Sequence, residues 1–206
     1  MKHKQIYIAA CLLGLLATSN ANADVIPYPN AGTENPTVYS FTASNTGTIG
    51  AYFDGSTAGY ESTISMLVNG VVTSETSAGV LNNHTSTIGQ FFNLGSVIAG
   101  DSIVFRLNVL TTGEAWYSNK ALNSDGINHV YSTTFSGDAI NNIPTGTYVA
   151  FEDVKGGGDF NYYDGNFVFT TTSNTSAVPE PETAAMLLAG MSLIGFSARR
   201  RNSNQS

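Results

Sequence analysis

A chain of 206 residues, 42% hydrophobic and only 11% charged, has enough apolar sequence for a core and too many aromatics for a disordered acidic tail. Between Asp24 and Ser176 thirteen acidic residues face only Arg106, Lys120 and Lys155, a formal charge of −10. No basic patch exists to neutralise phosphates, which excludes nucleic acid as a partner and makes cations the natural ones.

At the N-terminus Lys2 and Lys4 precede an apolar run from Ile6 to Ala17. Ala21 and Ala23 then supply the small residues at −3 and −1 of a signal-peptidase site. Residues 1–23 read as a signal peptide, and Asp24 as the first mature residue. Ile8-Ala9-Ala10-Cys11 superficially matches a lipoprotein cleavage site, but too little apolar sequence precedes Cys11 and the run continues beyond it. Cys11 is the only cysteine, so the exported chain is expected to lack both disulfides and thiolates.

From Asp24 a Pro/Gly/Asn-rich approach leads to the first alternating stretch. Thr37 to Ser44 reads as a strand with Tyr39, Phe41 and Ala43 on one face, and Gly47 to Asp54 does so through Ile49, Ala51 and Phe53. Glu61–Val68 and Val71–Ser74 flank Asn69-Gly70, the dipeptide of a type I′ hairpin turn. A weaker strand follows around Gln90–Leu94. Asp101–Leu110 alternates Ile103, Phe105, Leu107 and Val109 with Ser102, Val104, Arg106 and Asn108, the pattern of a half-buried antiparallel strand. Short strands are expected at Ala115–Ser118, Ile127–Phe135, Thr147–Glu152 and Asn166–Thr172. No segment sustains a helical period. The fold class is therefore all-β, an antiparallel β-sandwich or jelly roll over residues 24–172, with residues 173–177 as a small polar linker.

The internal stretch richest in possible chemistry runs from Phe151 to Phe167. Glu152, Asp153, Asp159, Asn161, Asp164 and Asn166 offer hard oxygen ligands around Gly156, Gly157 and Gly158. Calcium takes six to eight such oxygens in a flexible loop. The same residues also suit a solvated hairpin loop held by Asx-turns, and the sequence leaves both readings open. EF-hand spacing is absent. Phe151-Glu152-Asp153, Gly156 to Asp159, Tyr162 and Asp164 resemble an uncharacterised domain of exported bacterial proteins, in which an FED, a glycine run and a DxDYND segment precede a strand. Asn161 stands where that family more often has Asp, and Tyr163 where it has Asn or Asp.

A second polar cluster, Asn123, Asp125, Asn128 and His129, reads first as a turn before a strand with His129 half exposed, and second as extra ligands or a sugar contact. Trp116, Tyr117, Tyr162 and Tyr163 are core aromatics on the first reading and a glycan-binding face on the second. Gly100-Asp101-Ser102-Ile103 superficially matches an esterase nucleophile block, but Ser102 lies in an alternating strand and no Asp-x-x-His follows. No zinc-protease, nucleophile-elbow or phosphate-loop motif occurs. No enzyme is expected. The alternative is a carbohydrate-binding or carbohydrate-active module.

The tail has three unlike blocks. Val178-Pro179-Glu180-Pro181 is an extended, readable peptide. An apolar run follows over residues 184–198, about 22 Å long as a helix against a bilayer core of about 30 Å. Arg199, Arg200 and Arg201 come next, and residues 202–206 form a polar end. In that order residues 178–201 resemble the PEP-CTERM sorting signal. The resemblance implies a single hydrophobic helix as a transient membrane anchor, and processing by an exosortase near the Pro-Glu-Pro stretch. It further implies an exported protein, held at the inner membrane during sorting and then at the cell surface or outside. The setting expected is a biofilm or exopolysaccharide matrix, with polysaccharide as a partner. The tail is sometimes labelled an ice-binding C-terminal domain, but Thr85-Ser86-Thr87 and Thr170–Thr172 are isolated rather than arrayed, and no thermal hysteresis is expected.

Overall fold

Alternation with period two becomes strand after strand in the computed structural model, which describes residues 26–177. Among the described residues the eleven strands are β1 (Val38–Ala43), β2 (Gly47–Gly55), β3 (Ser62–Val68), β4 (Val71–Val72), β5 (Phe91–Val97), β6 (Ser102–Val109), β7 (Glu114–Tyr117), β8 (Val130–Phe135), β9 (Gly146–Phe151), β10 (Gly165–Phe169) and β11 (Thr172–Ala177). One sheet has the order β11-β1-β6-β3-β4, with β7 also on β6. The other runs β5-β2-β10-β9-β8. The ladders between these strands are antiparallel. The result is the expected β-sandwich, in which the chain crosses between sheets after β1, β2, β4, β5, β7 and β10.

β6 shows why. Ile103, Phe105, Leu107 and Val109 are buried, and the residues between them face outward. With Phe41, Ile49, Phe53, Met66, Leu94, Trp116, Phe167 and Phe169 they fill the space between the sheets. Phe105 and Phe169 stack across it at 3.6 Å between ring centroids. Asn69 (φ 49°) and Gly70 (φ 84°) form the I′-type turn between β3 and β4. β4 is shorter than expected because Thr73 makes only half of the next pair: its N–H donates to the Met66 carbonyl at 3.0 Å, but the Met66 N–H goes to Thr76 Oγ1 at 3.0 Å, and a 3-10 turn follows at Ser74–Thr76.

The outward face of the second sheet is also covered. Tyr148, Ala150 and Val168 pack there with Tyr28, Phe135, Ile143 and Tyr162 as a second apolar cluster. The Pro/Gly/Asn-rich approach is thus a strap forming a third layer, fixed where Asn35 N–H donates to Tyr162 Oη at 2.9 Å and Gly32 N–H to the Asp159 carbonyl at 3.1 Å.

Two further boundaries, both near the C-terminal end of the domain, differ from expectation. Residues 173–177 are not a linker but most of β11, paired with β1 from Val38↔Ala177 to Ala43↔Thr172. Their small polar side chains carry no apolar signal, and an edge strand is held by backbone hydrogen bonds. The expected strand 166–172 divides at Thr171, whose φ of 64° turns the chain from one sheet to the other. Ala21 and Ala23 of the cleavage site lie outside the described residues. So do Val178, Pro179, Glu180, Pro181, the apolar run and Arg199–Arg201. Among the described residues no helix is long and apolar enough to cross a membrane.

Candidate functional site: a carboxylate loop on a buried clamp

Adjacent strands β9 and β10 are joined by residues 152–164, which fold back over the end of their sheet. Gly156, Gly157 and Gly158 hold φ of 81°, 84° and 54° in succession, a left-handed run that side chains oppose. At Gly157 a Cβ would meet the Phe160 ring at 2.0 Å. Phe160 and Tyr162 are left-handed as well, and Tyr162 turns inward to full burial.

The fold brings Glu152, Asp153 and Asp164 together. Glu152 is 1% exposed and Asp153 2%. Glu152 Oε1 accepts from Tyr162 N–H at 2.5 Å, and Asp164 Oδ2 from Asp153 N–H at 3.0 Å. Burial pushes the Glu152 carboxyl up to about 8, with the charges of Asp164 and Asp159 adding to it against the Tyr162 hydrogen bond. Burial and then Asp164 push Asp153 up to about 7.

The other proposed ligands divide. Asp159 and Asn161 stay in the outer part of the loop, where Asp159 accepts from Asn161 N–H at 3.2 Å and Asn161 Nδ2 at 2.8 Å, and Asn161 Oδ1 accepts from Tyr163 N–H at 2.8 Å. These are the Asx-turns of the second reading. Asn166 sits in β10 opposite Ala150, fully buried. Among the described residues neither of its amide heteroatoms has a hydrogen-bond partner, nor does Asp153 Oδ2. Among the described residues no three carboxylate, imidazole or thiol groups already form a metal-binding group.

Beneath the loop lies a clamp that the sequence reading missed. His129 is not half exposed but wholly buried. Its ring stacks on Trp116 at 4.0 Å and 3°, with Nδ1 2.9 Å from the Glu152 carbonyl oxygen and Nε2 3.0 Å from Asp125 Oδ2. Trp116 Nε1–H donates to the Asp153 carbonyl at 2.8 Å, and Gly156 N–H to Asp125 Oδ2 at 2.8 Å. Burial opposes ionisation of Asp125, but the bonds from Gly156, Ile127 and His129 prevail and hold its carboxyl below the usual range. The first five loop residues are thereby fixed from below. The four-residue spacing of Asp125 and His129 was the available signal, yet nothing in it pointed to Trp116.

Asn123 and Asn128 spend their amides on backbone: Asn123 on Tyr117 and Ile127, Asn128 on Asn35 and Thr37. Trp116 and Tyr162 are core residues, while Tyr117 and Tyr163 are half-buried. Asp101 serves its own turn, accepting from Ile98 N–H and Asn69 Nδ2, and Asp125 pairs with His129. The nucleophile reading of Ser102 therefore gains no support.

A family model described as the PEP-CTERM protein-sorting motif matches residues 177–201. Comparisons with curated proteins and with solved structures give no match. The chain thus carries a PEP-CTERM sorting motif, and with it the route of an exosortase-sorted protein that is exported, passes through the membrane and ends at the cell surface or outside the cell.

Proposed function

We propose that this chain is a non-enzymatic protein of the cell surface or of the extracellular polysaccharide and biofilm matrix, and that its 152–164 loop is fastened by calcium. The observation that supports calcium is the buried oxygen set. Glu152 and Asp153 lie against Asp164, and among the described residues Asp153 Oδ2 and the Asn166 amide have no hydrogen-bond partner. Buried polar atoms left unpaired are costly, and a hard cation would satisfy oxygens of this kind and remove the repulsion among the carboxylates. Glu152, Asp153, Asp164 and Asn166 are the residues that would hold it. Asp159 and Asn161, already bonded to each other, would contribute less.

The non-enzymatic reading is supported by the polar groups around the loop, which are spent on holding the chain rather than on a nucleophile or a base. Burial of Trp116 and Tyr162 counts against an aromatic glycan platform. The test is thermal melting of the secreted protein with calcium or with a chelator. Millimolar calcium is expected to raise Tm by several degrees in the unmodified protein and not in Asp164→Asn. An unchanged Tm would overturn calcium, and release of product from a polysaccharide would overturn the non-enzymatic reading.

A further inference from the structure

We propose that the outward face of the first sheet carries a binding site for an acidic sugar, in which Arg106 pairs with the carboxylate of a uronate unit and the cleft beside Val104 takes the edge of its ring. This rests on the polysaccharide-matrix reading above and is independent of calcium. β1 and β7 share one edge of β6, since β3 occupies the other from Ser62↔Val109 to Val68↔Ile103. β1 pairs only with Ser102 and Ile103, and β7 takes over from Arg106 to Val109. In the gap Ser118 meets the edge, its Oγ accepting from Phe105 N–H at 3.0 Å and its N–H donating to the Phe105 carbonyl at 2.8 Å. The parting strands leave a cleft of about 90 Å³, whose lining includes Ser40, Thr42, Ser102, Val104, Ser118 and Asn119. Hydroxyls and an amide both donate and accept, as the hydroxyls of a sugar require.

Arg106 stands two residues on from Val104, so on the same face and about 7 Å farther along the strand. It is the only arginine between Asp24 and Ser176, half-buried in a row with Ser65 on β3 and Tyr117 on β7. Thirteen acidic residues occupy that span, yet among the described residues Arg106 holds none of them: the ion pairs there join Lys120 to Glu34 and His129 to Asp125. Its Nη2 donates to Ser65 Oγ at a long 3.4 Å, and that oxygen already accepts from Asn108 Nδ2 at 2.8 Å. Its Nε is buried and has no hydrogen-bond partner among the described residues. A buried N–H left unpaired is costly, so stability does not account for an arginine here. With Nε shut away, an anion meets the guanidinium end-on at its two Nη atoms. A carboxylate fits that fork with two parallel charge-assisted hydrogen bonds, and the half-buried Tyr117 ring offers the sugar an apolar face. A polyphosphate chain needs several cations, and this row supplies one.

Trigalacturonate and trimannuronate are titrated calorimetrically into the secreted protein at low salt, each beside its methyl ester, which removes the charge and keeps the ring. At least one acid form is expected to bind saturably, and its ester at least tenfold more weakly. Arg106→Gln and Ser102→Trp are each expected to lower the affinity for the acid form at least tenfold. Ser102 is exposed, so its replacement fills the cleft while the fold and Arg106 stay in place, and it carries the test if Arg106→Gln unfolds the chain. Equal binding of acid and ester, or unchanged affinity in Ser102→Trp, overturns the proposal. Sedimentation of the unmodified protein with the matrix of the producing cells separates the two readings. If it sediments while neither acid trimer binds, this proposal falls alone. If it does not sediment, the matrix reading falls and takes this proposal with it.

Discussion

Glu152 and Asp153 make stability depend on pH in the direction opposite to a salt-bridged carboxylate. Both carboxyls ionise at higher pH in the fold than in the unfolded chain, so native protein holds protons that the unfolded chain has already lost. Their contribution is complete below the unfolded pKa values near 4 and is lost as pH rises through about 7 to 8. In calcium-free buffer, unfolding free energy measured by urea titration is expected to fall by on the order of 2–4 kcal/mol between pH 5 and pH 9. Glu152→Gln should flatten that slope, whereas an equal slope in the variant would place the titration elsewhere. At the same scale His129→Ala removes a buried ring bonded at both nitrogens and stacked on Trp116, and is expected to cost about 3 kcal/mol. Trypsin cleavage after exposed Lys155 should accelerate with it, which limited proteolysis checks. The sequence showed which residues carry oxygen around the loop. It did not show which of them are buried, because burial here comes from contacts with Trp116 and His129, more than twenty residues away in the chain.

At the scale of elements, local pattern was legible wherever a strand had one wet face and one dry face. β6 and the β3–β4 hairpin follow from alternation and from Asn69-Gly70 alone. β11 did not, since an edge strand with no apolar residue leaves no periodic trace, and the strap over the second sheet reads in sequence as a turn-rich lead-in. The loop between β9 and β10 offers a sharper element-level test. Gly156 and Gly157 share nearly the same φ, yet a Cβ on Gly156 meets nothing within 4 Å while one on Gly157 meets the Phe160 ring at 2.0 Å. Gly156→Ala should cost about 1 kcal/mol, from backbone strain alone. Gly157→Ala should cost about 2–3 kcal/mol, because the ring must also move. Equal losses in thermal melts of the two variants would mean that Phe160 does not hold the loop closed.

For the whole molecule, the absence of cysteine after Cys11 means that three layers must be fastened by packing and hydrogen bonds. Tyr162 is where they meet. Its backbone N–H donates to Glu152 in the loop, its hydroxyl donates to the Asn128 carbonyl and accepts from Asn35 N–H in the strap, and its ring packs edge-on against Tyr28 at 4.9 Å. Tyr162→Phe keeps the volume and the ring contact while removing one oxygen. That leaves the buried Asn35 N–H and the Asn128 carbonyl each without this partner, a loss of about 2 kcal/mol. For a domain of this size it corresponds to a fall in Tm of about 4–8 °C. If strap, loop and sandwich form one cooperative unit, the melt stays a single transition at the lower temperature, and amide exchange accelerates across β9 and β10 as well as in the strap. If the strap is only a cover, Tyr162→Phe loosens residues 26–36 alone and leaves the main transition where it was. Melting and amide exchange of the same sample decide between the two, since the cooperative case requires both to move together.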